Sequence, residues 1–149
     1  NLDQEFMGLS VKEQISKKLQ VPERDPKRQL GRLADNVKDI DMRLETLTSK
    51  VEDLDHEELS KDQGPAVRLL NKLTKQCTEY SELIMMLTEG LDSVSSPEVR
   101  QERRQLIAQL QGLLVEVDKA RFKIDSLFSL ISPENGLAVL ARGALGHFV

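Results

Sequence analysis

Few residues of this chain could do covalent chemistry, and their spacing keeps them apart. The single cysteine, Cys77, can close no intrachain disulfide, and the two histidines are His56 and His147. No set of Cys and His has the spacing of metal ligands. A nucleophilic Cys77 needs a base, and none stands near it in sequence, so it reads as a small apolar core residue. Both histidines fall outside the strongest apolar stripes and read as exposed or rim residues. A nucleophile elbow, a P-loop and a dinucleotide glycine pattern are all missing from the sequence. The sequence predicts neither an enzyme nor a resident cofactor or metal.

What remains is the chemistry of binding. Arg100, Arg103 and Arg104 cluster between Glu98 and Glu102. Such a cluster is ordinarily a solvated face neutralised by its acidic neighbours, because most surface charges carry no binding energy. Its other use is to grip carboxylates, since Arg bonds them bidentately and is enriched at interface hot spots. Met85 and Met86 offer a second ambiguity between an adaptable contact surface and the edge of a core, and the core edge is the commoner case. The net charge of -4 argues against nucleic acid as the partner, because phosphate contacts demand a basic surplus.

These residues sit on long apolar repeats. Leu30, Leu33, Val37, Ile40, Leu44, Leu47, Val51 and Leu54 alternate by three and four residues, which lays one stripe along one helix face. With Pro26 tolerated at a helix start, the first helix is predicted from about Asp25 to about Glu58. Gly64-Pro65 then reads as a turn. A second stripe follows in Val67, Leu70, Leu73, Cys77, Tyr80, Ile84, Leu87 and Leu91, with a helix end expected between Gly90 and Asp92. Ser96 is the predicted N-cap of a third helix, with Pro97 at its first position and Glu98 favoured by the helix dipole. Its stripe is Leu106, Leu110, Leu113, Val117, Ala120, Ile124, Leu127 and Ile131, closed by Ser132-Pro133 and Asn135-Gly136. Spans of roughly 27 to 35 residues make helices about 40 to 50 Å long. Short connections force neighbours to run antiparallel, and the predicted fold is an all-α, long antiparallel three-helix bundle. Aromatic residues are only 3% of the chain, which suits a core of aliphatic ridges.

The flanks read differently. Ser10-Val11-Lys12-Glu13 resembles a capping box, predicting a short helix from about Ser10 to Leu19. The apolar segment from Gly136 to Gly143 is expected to form a turn or two and to dock on its own bundle or a partner. The expected organisation is therefore an N-terminal segment over 1–25, a bundle over 26–131 and an apolar tail over 132–149. The chain opens on Asn1, consistent with an excised domain or a processed fragment. No apolar run approaches the ~20 residues of a membrane span.

The segment from Glu82 to Gln111 is the most informative. It runs Glu-Leu-Ile-Met-Met-Leu-Thr-Glu-Gly-Leu-Asp-Ser-Val over 82–94, then Ser-Ser-Pro-Glu, then Val-Arg-Gln-Glu-Arg-Arg-Gln-Leu-Ile-Ala-Gln-Leu-Gln over 99–111. It closely resembles the last two helices of BAG domains. There, a Leu-Asp-Ser-Val-like turn precedes a variable linker and a Val-Arg-x-x-Arg-[Arg/Lys]-x-x-[Val/Ile]-x-x-[Val/Leu]-Gln run. The first helix resembles the family in length and periodicity alone, Gly90 departs from it, and the apolar tail is an addition.

The resemblance implies a co-chaperone that binds the ATPase domain of a heat-shock protein 70-type chaperone and promotes nucleotide exchange. It also implies a cytoplasmic setting, with the nucleus as a second compartment. Carried over by motif position, the chaperone-binding residues are Glu82 and Asp92 on the second helix and Arg103 and Gln111 on the third, with Arg104 a further basic position. The alternative from the heptads alone is a tethering bundle, spectrin-like or syntaxin-like, whose partner is another helical protein. Long helices and a hinge leave self-association through the termini open.

Overall fold

The computed structural model describes residues 25–131 together with Glu13. The short helix expected from Ser10 to Leu19, the apolar tail, the closing Pro and Gly signals and His147 lie outside the described residues. Helix α1 spans Pro26–Glu52, α2 His56–Ser60, α3 Gln63–Asp92 and α4 Arg100–Ile131, with a 3-10 turn at Pro97–Val99 before α4. The architecture is the all-α three-helix bundle expected from the sequence, with α2 as a short addition.

Each start has its own cap. The Asp25 carboxylate accepts from the backbone N–H of Lys27 at 3.1 Å, and Pro26 occupies the first helical position. The first helix ends at Glu52 rather than near Glu58. There the Leu54 N–H bonds the Val51 carbonyl at 3.2 Å, and the Asp55 side chain caps Glu57 to start α2. Leu54 keeps the heptad spacing but has left the helix, and it is half-buried where Val51 is 1% exposed. Nor is Gly64-Pro65 the turn. It lies in the first turn of α3, where a missing N–H costs nothing because that donor has no intrahelical acceptor.

The described residues fall into two compact units, and α1, α3 and α4 each contribute a stretch to both. The first unit comprises α1 to Leu44, α3 from Thr78, the 3-10 turn and α4 to Val115. Leu33, Val37, Ile40, Leu83, Leu87, Leu91 and Leu110 fill its core, and Asn36 is its buried polar residue. Exposed polar contacts set its directions: Lys27 pairs with Glu98 at 2.9 Å, and Gln109 donates to Asp41 at 3.2 Å. Hence α1 and α4 run parallel here, with α3 antiparallel to both. In the second unit Leu47, Leu70, Cys77, Val117, Ile124 and Phe128 are buried. Two open helix ends are closed by side chains there, Gln63 donating to the Ile131 carbonyl and Lys123 to that of Glu52, each at 2.7 Å.

Gly90 has a packing role. A Cβ built there would lie 3.2 Å from the Leu33 Cδ2, tighter than ordinary van der Waals contact, so the missing side chain lets α1 and α3 approach. Gly90→Ala should gain about 1 kcal/mol of helix propensity. Against that, Leu33 is only 2% exposed, and a side chain in a close-packed core shifts only at a cost. Crowding should win, with a net loss of about 1 kcal/mol in a denaturant titration. A variant more stable than the parent would overturn this.

Cys77 is buried and 0% exposed, as its place in the stripe required. Burial pushes its thiol up from 9.0 to about 11, with Arg121 opposing and Asp125 and Asp118 adding to the rise. Two results are expected. An alkylating reagent at pH 8 should modify the folded protein far more slowly than the urea-unfolded chain. Stability should hold to about pH 9 and then fall towards pH 11, because in that window the unfolded thiol releases its proton while the folded one keeps it. Equal alkylation rates in the two states would contradict the burial.

Candidate functional site

All five residues picked out by the family motif belong to the first unit. The connection between α3 and α4 positions them. At the end of α3, Ser93 N–H bonds the Glu89 carbonyl at 3.1 Å and the Ser93 hydroxyl bonds the Gly90 carbonyl at 2.7 Å. The chain then reverses between two buried valines, Val94 at 2% and Val99 at 1% exposure. Ser96 caps the 3-10 turn through the Glu98 N–H, as the Ser-Ser-Pro-Glu signal predicted. The turn is anchored on both sides by burial.

Arg103 completes this turn. It is half-buried, and its Nη1 donates to the Val94 carbonyl. A charged donor here satisfies a carbonyl that the chain reversal leaves without a backbone partner. One edge of the guanidinium is thus held, which orients the whole planar fork. Glu98 has turned to Lys27 on α1, so it is not simply a neutralising neighbour of the arginines.

The other four residues are exposed: Glu82 and Asp92 on α3, Arg104 and Gln111 on α4. At about 100° of rotation per residue, Arg104 and Gln111 lie within roughly 20° of each other around α4. Arg103 is about 80° from Gln111, on the side that meets the core. Glu82 and Asp92 are also about 80° apart, so they share a broad side of α3 rather than one line. Carboxylates on one helix and cationic and amide donors on the next form a dispersed polar surface. Such a surface can dock a partner, whereas acting on one reacting bond needs groups converging on one point.

Among the described residues, no group of three or more His, Cys, Asp or Glu is placed to hold a metal ion. Nor is any helix there long and apolar enough to cross a membrane. His56 is exposed at the start of α2. Of the paired methionines, Met86 is half-buried as a core-edge residue should be. Met85, however, is 59% exposed, against the core-edge expectation.

Sequence spacing had not revealed the bond from Arg103 to Val94. Its one signal was an arginine about one turn into a helix that follows a short reversal, and the bond exists only because that reversal brings the carbonyl back to it.

The fold is an all-α bundle with an exposed polar surface on α3 and α4. The sequence profile of the BAG domain family matches residues 37–120, and the chain belongs to that family. No curated protein and no solved structure gives a significant match to the chain. Family membership implies a co-chaperone module that binds a chaperone of the heat-shock 70 type.

Proposed function

We propose that this chain binds the ATPase domain of a heat-shock 70-type chaperone through Glu82, Asp92, Arg103, Arg104 and Gln111 and accelerates ADP release. The supporting observation is the Arg103 guanidinium, oriented at the α3–α4 turn by the Val94 carbonyl, at the position to which the motif resemblance carries the family's binding arginine. An arginine held in advance loses less side-chain freedom on docking, and that favours a hot-spot role.

The mechanism is a population shift. The ATPase domain opens and closes around its nucleotide, and a bundle that binds the open form more tightly favours opening. By linkage, nucleotide affinity falls by the same factor. A packed turn between the two contacting helices resists following the lobes as they close. The functional module is taken as 26–131, acting in the cytoplasm, with 1–25 and 132–149 as flanks open to further partners.

The test is stopped-flow release of a fluorescent ADP analogue from the ATPase domain, with and without this chain. Release that quickens with added chain and saturates supports exchange. Binding without acceleration would leave a chaperone-docking module and remove the exchange activity.

A further inference from the structure

Met85 stands out on the α3 surface. It is a large apolar side chain, 59% exposed, three residues from Glu82 and so its neighbour on the helix. Two contacts tell which way it points. On α3, the open side of Gly90 faces Leu33 of α1. Met85, five residues earlier, is rotated about 140° away from that direction. On α4, Gln109 reaches Asp41 of α1. Gln111, two residues later, is rotated about 200° from it. Met85 and Gln111 are therefore both turned away from α1, and Met85 lies between Glu82 and Asp92 around α3, about 60° from the first and about 20° from the second.

The register brings them level. The turn joins Val94 to Arg103 through a hydrogen bond, and from it α3 and α4 run side by side with opposite chain directions. Nine residues back along α3 is Met85, and about the same rise along α4 reaches Gln111. Met85 is thus an exposed apolar side chain bordered on α3 by Glu82 and Asp92 and level with Gln111 on α4. An apolar centre within a polar rim is the usual anatomy of an energetic hot spot.

We infer that Met85 is an apolar contact with the chaperone's ATPase domain, seated at the centre of the polar surface. This rests on the proposed function, because the occupant is identified by continuity with the residues that the family motif assigns to chaperone binding. The adaptable thioether fills a shallow apolar depression on the partner while the rim excludes water around it.

The experiment compares Met85→Glu with Met42→Glu. Met42 is 62% exposed on α1 in the same unit, so it controls for a general effect of placing a carboxylate on exposed methionine. Both variants should keep the parent's circular dichroism and melting temperature, because neither position is buried. By calorimetry with the ATPase domain, Met85→Glu should weaken binding at least about tenfold and Met42→Glu less than about twofold. If the parent binds and Met85→Glu binds equally well, the inference fails and the proposed function stands. If the two variants lose affinity equally, the contact is not specific to Met85 and the inference also fails. If the parent itself does not bind, the proposed function fails, and this inference with it.

Discussion

Arg103→Ala should abolish the acceleration of ADP release and weaken binding to the ATPase domain at least about tenfold, or about 1.4 kcal/mol. The side chain has two tasks, and the variant removes both. Losing the donor to the Val94 carbonyl should cost about 1 kcal/mol of stability, since a half-buried carbonyl loses a charge-assisted bond. Losing the guanidinium fork removes the partner contact. Arg103→Lys separates them. An ammonium can still reach a carbonyl as a single donor, but it cannot form the planar bidentate pair with a carboxylate. The lysine variant should therefore melt close to the parent and still bind weakly. If Arg103→Ala binds the ATPase domain normally in calorimetry, the site assignment is wrong, although family membership stands.

The second large effect belongs to Leu83. This residue is 0% exposed in the unit that carries the site, one position from exposed Glu82. Leu83→Ala removes buried methyl groups and leaves a cavity, at a cost of about 3 kcal/mol. That is a large share of the roughly 5–15 kcal/mol by which natural domains are stable. A urea titration should show the midpoint fall sharply, while Glu82→Ala changes it by no more than about 0.5 kcal/mol. A loss below about 1 kcal/mol at Leu83 would mean that the α3 core is packed otherwise than described. The pair also separates stability from docking: Glu82→Ala should lower affinity without moving the midpoint, and Leu83→Ala should do the reverse under conditions where it remains folded.

Leu83 marks a limit of the heptad reading. The stripe through Cys77, Tyr80, Ile84, Leu87 and Leu91 selects one residue every three or four, which describes contact with one neighbouring line of side chains. A helix packed against two others buries a wider arc, and α3 meets both α1 and α4 in the first unit. Leu83 enters the core for that reason, while Tyr80, a member of the stripe, is half-buried. The helix ends show the same limit. The Ser96 cap was legible because Ser, Pro and Glu act locally on backbone donors. The break after Glu52 was not, because Leu54 preserved the apolar spacing while Asp55 capped a new helix beyond it.

Three helical stripes, their antiparallel order and the thirty-residue family motif were all present in the linear chain, because each depends on residue type at short spacing. Helical periodicity is local, a short connection leaves its neighbours little choice of direction, and a binding motif is a list of side chains. The sequence could not say which motif residue also supports the fold, or which methionine of a pair faces solvent. Arg103 meets Val94 only after the chain has reversed, and Met85 is exposed only because α1 and α4 occupy the other sides of α3. Both depend on how far each helix is rotated against its neighbours, and that rotation is set by packing among distant residues, such as the close approach of Leu33 to Gly90.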